Sequence, residues 1–140
     1  MASIFSRIIK GELPGRFVWK DDRCVGLMTI NPLTPGHTLV IPRAEVDHWI
    51  DLEPDLARHL FVVAHSIGRA IQRGFSPVKV GLLIAGLEVR HAHIHLVPIR
   101  ELHDLDFDRQ EKNPDPAALD RAAATLRAAL QELGCREVSD

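Results

Sequence analysis

Three histidines alternate with apolar residues near the middle of the chain. His91, His93 and His95 are each followed by an apolar residue, in the run His-Ala-His-Ile-His-Leu. On an extended strand, residues two apart point to the same face and lie about 6.6 Å from one another. The chain has 8 histidines among 140 residues, and random placement would produce such a triplet in only about one chain in 40. The spacing therefore predicts three imidazoles on one face of a strand.

A row of imidazoles can support two kinds of chemistry. Neutral imidazole is a common metal ligand, and two histidines at i and i+2 can share one ion, with Glu88 as the nearest carboxylate to orient them. Imidazole is also a nucleophile at neutral pH, because its ordinary pKa is about 6.5. Attack on phosphorus would form a phosphoramidate, while neighbouring imidazoles donate hydrogen bonds to the phosphate oxygens. We favour phosphoryl or nucleotidyl transfer and retain metal binding as an alternative.

The composition narrows the class of protein. A length of 140 residues is typical of a single domain, and a net charge of -2 does not predict a nucleic-acid surface. Cys24 and Cys135 have neither the spacing of a zinc motif nor that of a disulfide framework, which favours a reducing, cytoplasmic setting. No signal segment is visible, and no apolar run reaches the roughly 18 residues that a membrane span requires.

The elements that position the histidine strand follow from the periodicity of apolar residues and from the turn residues. Helices are predicted at 54–73, with Gly74 at its C′ position, and at 116–133, with Asp115 as its N-cap. Strands are predicted at 17–20, 24–30, 37–41, 78–85 and 91–99. The acid-rich segment 102–113 is predicted to be a solvated loop. Strands on both sides of a central helix favour an α+β fold with a largely antiparallel sheet.

Several separated motifs resemble those of the histidine triad (HIT) family. The run His91-Ala92-His93-Ile94-His95-Leu96-Val97 resembles the motif that gives the family its name. The N-terminal pattern of the family is matched by Ile4-Phe5, Ile8-Ile9, Glu12-x-Pro14, Asp21-Asp22-Arg23-Cys24 and Pro35-Gly36-His37-Thr38-Leu39-Val40-Ile41-Pro42. The resemblance covers roughly residues 4 to 99.

The resemblance implies a fold and a function. The expected HIT-like fold is a five-stranded, mainly antiparallel sheet with a central and a C-terminal helix. Residues 1–100 would form the HIT domain, and 101–140 a loop and helix packed on or extending it. The implied enzyme is a homodimer without a cofactor that acts on a purine nucleotide or nucleotide conjugate, such as a nucleoside phosphoramidate or dinucleoside polyphosphate.

The resemblance also implies roles for four histidines. His93 would be the nucleophile that becomes transiently nucleotidylated. The carbonyl of His91 would hold the Nδ1–H of His93, and His95 would donate to a phosphate oxygen. His37 would support the cluster beside His91.

The implied substrate-binding residues include two departures from the family pattern. Thr29 stands where an aspartate usually binds the ribose hydroxyls. The loss of this carboxylate would weaken nucleoside binding by about 1.5–3 kcal/mol. Glu88 stands where a neutral donor usually meets the phosphate. These departures leave open a nucleotide-binding or interaction protein with weak catalysis. The implied base pocket consists of Ile4, Phe5, Ile8, Leu27 and Ile30, with Met28 at its edge, and Thr29, Asn31 and Glu88 complete the implied substrate-binding set.

Overall fold

The computed structural model describes residues 1–140 and contains three helices and one five-stranded sheet. The helices are α1 (Ile4–Ile9), α2 (Pro54–Phe75) and α3 (Pro116–Glu132). The strands are β1 (Phe17–Lys20), β2 (Cys24–Met28), β3 (Thr38–Pro42), β4 (Lys79–Leu83) and β5 (Ile94–Ile99). All neighbouring strands pair antiparallel in the order β1-β2-β3-β5-β4. The predicted α+β fold with a mainly antiparallel sheet is confirmed.

One face of the sheet, the helix face, is covered by α2 and α3. Leu60 and Ile67 from α2 and Leu126 from α3 are buried against Ile94 of β5 in one apolar cluster. The helical spacing of the apolar residues along α2 produces the apolar stripe that the sequence predicts for this helix. Burial of each such side chain contributes about 1.5–3 kcal/mol to stability. This face holds most of the core.

The C-terminal end of α2 differs from the prediction. The helix continues through Gly74 to Phe75, and Ser76 at its C-cap has a left-handed φ of 49°. The prediction that Gly74 is the C′ residue is therefore wrong. A Cβ on Gly74 would lie 3.0 Å from the methyl of Thr125 in α3. Glycine is needed there for the close approach of two helices rather than for a turn.

The opposite face, the histidine face, carries a smaller apolar cluster and the short helix α1. Phe5 from α1 packs with Leu27 and Leu39 of the sheet. Leu39 of β3 pairs with His95 of β5. Because directly paired residues of antiparallel strands project to the same side, His95 also lies on this face.

Three strands are shorter than predicted. β2 ends at Met28 rather than at residue 30, β4 spans Lys79–Leu83 rather than 78–85, and β5 begins at Ile94 rather than at residue 91. The segment before β5 is held by a neighbouring loop instead of the ladder, because the amide of Ala92 donates to the carbonyl of Val46 at 2.7 Å. The first two histidines of the motif therefore precede the paired strand.

The segment after β5 returns across the histidine face before α3 begins. The predicted loop 102–113 contains two 3₁₀ turns, Leu102–Leu105 and Phe107–Arg109. The amide of Glu111 donates to the carbonyl of Pro32 at 3.0 Å, which fixes this segment beside the end of β2. None of the three helices has the length and apolar character needed to span a bilayer.

Candidate active site

The ring of His93 is held in one tautomer by the main chain. Its Nδ1 lies 2.7 Å from the carbonyl oxygen of His91, as the sequence resemblance predicted. A carbonyl oxygen can only accept, so Nδ1 carries the proton and the lone pair of Nε2 remains free. Burial lowers the pKa of His93 below its usual 6.5, and the imidazole is therefore an uncharged nucleophile at neutral pH.

His37 and His95 form a chain of directed hydrogen bonds. The amide of Leu33 donates to Nδ1 of His37 at 3.0 Å, so the proton of His37 must be on Nε2. That Nε2 lies 2.9 Å from Nδ1 of His95 and donates to it. The proton of neutral His95 is consequently on Nε2, which makes this atom a hydrogen-bond donor. Burial and the neighbouring histidines lower the pKa of His37 to about 3 and that of His95 to about 4.

The position of His37 differs from the prediction. His37 was expected beside His91, but it contacts His95 instead. The register of β3 and β5 explains the difference, since Leu39 pairs with His95 and His37 lies two residues earlier on the same face. The four residues His37, His91, His93 and His95 are hereafter called the histidine cluster.

His91 connects the cluster to α1. Its Nε2 donates to the carbonyl of Pro42 at 2.7 Å, and its Nδ1 is hydrogen-bonded to the hydroxyl of Ser3 at 2.6 Å. Ser3 is also the N-cap of α1. Glu45 accepts from the Ser3 amide at 2.7 Å and from the Ser6 hydroxyl at 2.6 Å, and these bonds lower its pKa to about 2. These contacts position the His91 carbonyl that holds His93.

Sequence reasoning missed the roles of Ser3, Ser6 and Glu45. A serine before a short apolar helix is a recognisable N-cap signal. No local pattern, however, connects that cap to a histidine 88 positions later in the chain.

Aromatic side chains cover the histidine cluster. The ring centroid of Phe5 lies 4.9 Å from that of His93, and Phe107 lies 5.1 Å from His95. The exposed fraction of each cluster histidine is 8% or less. The cluster therefore does not lie on an open side of the sheet, because α1 and the second 3₁₀ turn lie over it. Phe107 lies in the acid-rich segment 102–113, and its contact with the site could not be predicted from that composition.

Comparison with known proteins agrees with the geometry of the cluster. Residues 10–103 match the HIT domain. The chain belongs to the histidine triad family. It is 34% identical over 100 residues to protein hit of Bacillus subtilis, covering 68% of this chain and 69% of that protein. It is 27% identical over 137 residues to the adenylylsulfatase HINT3 of Arabidopsis thaliana, covering 94% of this chain and 69% of that protein. A Zn-bound histidine triad family protein from Mycobacterium smegmatis superposes with a TM-score of 0.82 at 30% identity, over 96% of both chains.

The predicted apolar base pocket of this HIT protein is divided in the structure. Phe5, Ile8 and Leu27 pack together in the cluster of the histidine face. Ile4 and Ile30 lie outside that cluster, with exposed fractions of 47% and 64%. Only the first three residues therefore form a continuous apolar wall beside the histidines.

Other predicted substrate contacts are engaged elsewhere in the HIT protein. Met28 packs in the core of the helix face, so its placement at the pocket edge is wrong. Alternation along β2 directs it away from Leu27. The hydroxyl of Thr29 accepts from the amide of Asn31 at 3.2 Å, and the Asn31 side chain donates to the carbonyl of Glu111 at 3.0 Å. The Asn31 amide group is thus bonded to the C-terminal segment.

Glu88 lies at the surface beside the cluster. It is exposed and lines a cavity of about 330 Å³ together with Ser3, Ile4 and Glu45. Its charge acts on His93 in the direction that raises the pKa, against the larger effect of burial. A carboxylate near the nucleophile would repel a phosphate and stabilise a positively charged imidazole.

The histidine cluster has few nitrogens free to coordinate a metal. Both ring nitrogens of His37 and of His91 are hydrogen-bonded, as is Nδ1 of His93 and of His95. The Nε2 atoms of His93 and His95 remain, and that of His95 carries its proton. This arrangement suits a nucleophile and a neighbouring donor better than a set of metal ligands.

Proposed function

We propose that this HIT protein is a nucleotide hydrolase or nucleotidyl transferase in which His93 is transiently nucleotidylated. The supporting observation is the 2.7 Å hydrogen bond from Nδ1 of His93 to the His91 carbonyl. It leaves the Nε2 lone pair available and fixes the plane of the ring. Preorganisation of this kind removes much of the entropic cost of reaching the reactive geometry.

In the first step, Nε2 of His93 attacks the phosphorus of a nucleoside phosphate. The N–P bond forms while the bond to the leaving group breaks, and the leaving group departs with the electron pair and acquires a proton from solvent. The imidazole becomes positively charged, and its Nδ1–H bond to the His91 carbonyl strengthens accordingly. The Nε2–H of His95 donates to a nonbridging phosphate oxygen as charge accumulates there.

In the second step, water or another acceptor attacks the same phosphorus. The N–P bond breaks, its electron pair returns to Nε2 of His93, and the attacking oxygen loses a proton to solvent. Hydrolysis releases the nucleoside monophosphate, and transfer to another acceptor releases a conjugate. Dividing one displacement into two lowers each barrier.

The proposed substrates are purine nucleotides or their conjugates, including nucleoside phosphoramidates and dinucleoside polyphosphates. The apolar wall of Phe5, Ile8 and Leu27 offers a surface for a base. A relative is named an adenylylsulfatase, which supports an adenylyl group as the first to test. Because Thr29 and Asn31 bond to the protein itself, we expect weak recognition of the ribose.

Detection of the covalent adduct tests the proposal directly. Rapid mixing with adenosine 5′-phosphoramidate and an alkaline denaturing quench, which preserves the acid-labile N–P bond, followed by intact mass and peptide mapping, should show one adenylyl group on His93. The adduct should be absent from His93→Ala and present in the control His65→Ala, whose parent side chain is exposed on α2. Absence of both adduct and turnover across several nucleotides would exclude the enzyme.

Glu88 supports a second candidate function, nucleotide binding with weak catalysis. An exposed carboxylate beside His93 would disfavour an anionic phosphate at the nucleophile. Calorimetric titration with AMP, combined with the adduct assay, distinguishes the two functions. Tight AMP binding by a protein that forms no adduct with the phosphoramidate indicates a binding protein. Glu88→Gln should then increase turnover if the carboxylate is the cause of weak catalysis.

We also propose a homodimer formed through β4. This strand is at one edge of the sheet. Leu82 on β4 and Phe61 on α2 have apolar side chains with exposed fractions of 46% and 45%. An edge strand with exposed apolar neighbours is suited to pairing with a second copy. Light scattering should give a molar mass of twice the chain mass for the parent protein and of one chain for Leu82→Glu. A monomeric parent protein would contradict the proposal.

A further inference from the structure

A second group of metal-ligand side chains lies on the helix face, away from the histidine cluster. Oδ2 of Asp21 lies 2.8 Å from Nε2 of His59 and 3.5 Å from Sγ of Cys24. All three ligand atoms lie within 4.8 Å of one another. Asp21 and Cys24 belong to the turn between β1 and β2 and the start of β2, whereas His59 projects from α2. We call these three residues the Asp21 cluster.

The carboxylate of Asp21 is held firmly by other groups. Its Oδ1 accepts from the amides of Arg23 and Cys24, each at 2.8 Å, and its Oδ2 accepts from Nε1 of Trp19 at 2.9 Å. Such bonds fix the orientation of a ligating carboxylate without occupying all of its lone pairs. The aspartate is thus preorganised by two main-chain amides and an indole N–H, groups that would not themselves coordinate the ion.

We propose that Asp21, Cys24 and His59 bind a thiophilic divalent cation of the Zn²⁺ type. A thiolate, an imidazole and a carboxylate are the ligands that zinc takes in proteins, and a sulfur ligand disfavours Mg²⁺ and Ca²⁺. The ion would link the β1–β2 turn to α2 and so reinforce the helix face. This site is independent of the proposed nucleotide chemistry, because it contains none of the histidine-cluster residues.

The ligand atoms must move by about 1 Å or less to accept the ion, because all three lie within 4.8 Å of one another. Bond lengths of about 2.0–2.3 Å in a tetrahedral site imply ligand–ligand distances of about 3.3–3.6 Å. The distance of 3.5 Å between Cys24 and Asp21 already has this value, while the 2.8 Å between His59 and Asp21 must widen by about 0.5 Å. The side chain of His59 is 28% exposed and that of Asp21 12%. Solvent can therefore approach a fourth position.

Metal binding would be coupled to proton release. Burial and the charge of Asp21 raise the pKa of the Cys24 thiol, while Arg23 and Arg43 act in the opposite direction. Coordination would release the thiol proton to solvent, so affinity should increase with pH.

The same geometry argues against a nucleophilic cysteine. A catalytic thiol is activated by direct contact with a base and by a lowered pKa. The Cys24 thiol instead donates toward a carboxylate, its pKa is raised, and its side chain is fully buried. Coordination chemistry is the function that this donor set can support.

Titration with Co²⁺ under reducing conditions tests the site. Thiolate coordination produces a charge-transfer band in the near ultraviolet, and only Cys24 and Cys135 can supply a thiolate. We expect one Co²⁺ per chain with this band in the parent protein and in the control Cys135→Ser. The band should disappear in Cys24→Ser. His59→Asn should weaken binding at least about tenfold, whereas the control His65→Asn should not.

Several results would overturn the proposal. These are the absence of a thiolate band in the parent protein, its loss in Cys135→Ser, or unchanged affinity in His59→Asn. Binding by the histidine cluster alone would give no thiolate band and would also count against it. If Cys24→Ser fails to fold, the partly exposed His59 provides the deciding variant, because Zn²⁺ should raise the Tm of the parent protein and not that of His59→Asn.

Discussion

The histidine cluster and the Asp21 cluster lie on opposite faces of one sheet, and their hydrogen bonds are organised differently. In the histidine cluster, each ring is fixed by main-chain groups or by another ring, in series. In the Asp21 cluster, a single carboxylate collects donors from several side chains and amides. The serial arrangement leaves the Nε2 lone pair of His93 free, whereas the convergent arrangement directs several donors to one carboxylate.

The difference extends to the pKa values. Burial lowers the pKa of His93 and His95, since the loss of water outweighs the opposing charge of Glu88 at His93 and no opposite charge acts on His95. Burial would raise the pKa of Asp21, but hydrogen bonds from Trp19 and the following amides lower it to about 2. The first cluster thus favours reactivity and the second stability, and substitutions should separate the two.

The largest expected effect is the loss of turnover in His93→Ala. We expect kcat/KM to decrease at least about 1000-fold, equivalent to about 4 kcal/mol in the activation barrier. The fold should persist, since the aromatic contacts of the ring are with Phe5 and His95 and its hydrogen bond is to the adjacent main chain. Steady-state kinetics and near-UV circular dichroism measure the two properties, with His65→Ala as the control. Retention of most activity would show that His93 is not the nucleophile.

A complementary effect is expected from Asp21→Ala. Loss of the charged acceptor leaves buried donors unpaired and should lower the free energy of unfolding by about 2–4 kcal/mol. Turnover should stay within about twofold, because Asp21 lies on the other face of the sheet. Urea unfolding compared with Asp22→Ala, an exposed neighbour, provides the measurement. Equal losses in the two variants would mean that the carboxylate has no special role.

The third prediction concerns the dependence of stability on pH. In the unfolded chain a histidine binds its proton near pH 6.5, but folded His37 does so only near pH 3. Between these values the unfolded state binds more protons, so stability falls as the pH is lowered, by about 1.4 kcal/mol per pH unit. His37→Phe should reduce this slope by about that amount between pH 6 and 4. His48→Phe, at an exposed site, should leave the slope unchanged; equal slopes in the parent protein and His37→Phe would contradict the depressed pKa.

The smallest effect is expected from Ser3→Ala. The change removes the N-cap of α1 and the hydroxyl that is hydrogen-bonded to His91, and should cost about 1 kcal/mol in the free energy of unfolding. A small displacement of the His91 carbonyl should also reduce kcat by several fold. Ser66→Ala on α2 is the matched control, assayed by thermal unfolding and kinetics. An unchanged kcat would show that α1 does not position the cluster.

Much of the fold could be predicted from local sequence. Apolar periodicity placed α2 and the start of α3 correctly, because helical spacing and N-cap residues act over a few positions. The end of α2 could not be predicted, since Gly74 is required by Thr125 of another helix. The position of Phe107 over the cluster could likewise not be predicted, because Phe107 lies in a segment dominated by acidic residues.

The sequence by itself identified the histidine motif and the family to which the chain belongs. It also specified the contact between His93 and the His91 carbonyl, which joins residues only two positions apart. The tertiary structure alone decided which partner His37 has, 58 positions away, and which hydroxyl reaches His91, 88 positions away. Tautomers and pKa values depend on such partners and on burial, and strand register and packing bring both about only when the chain folds.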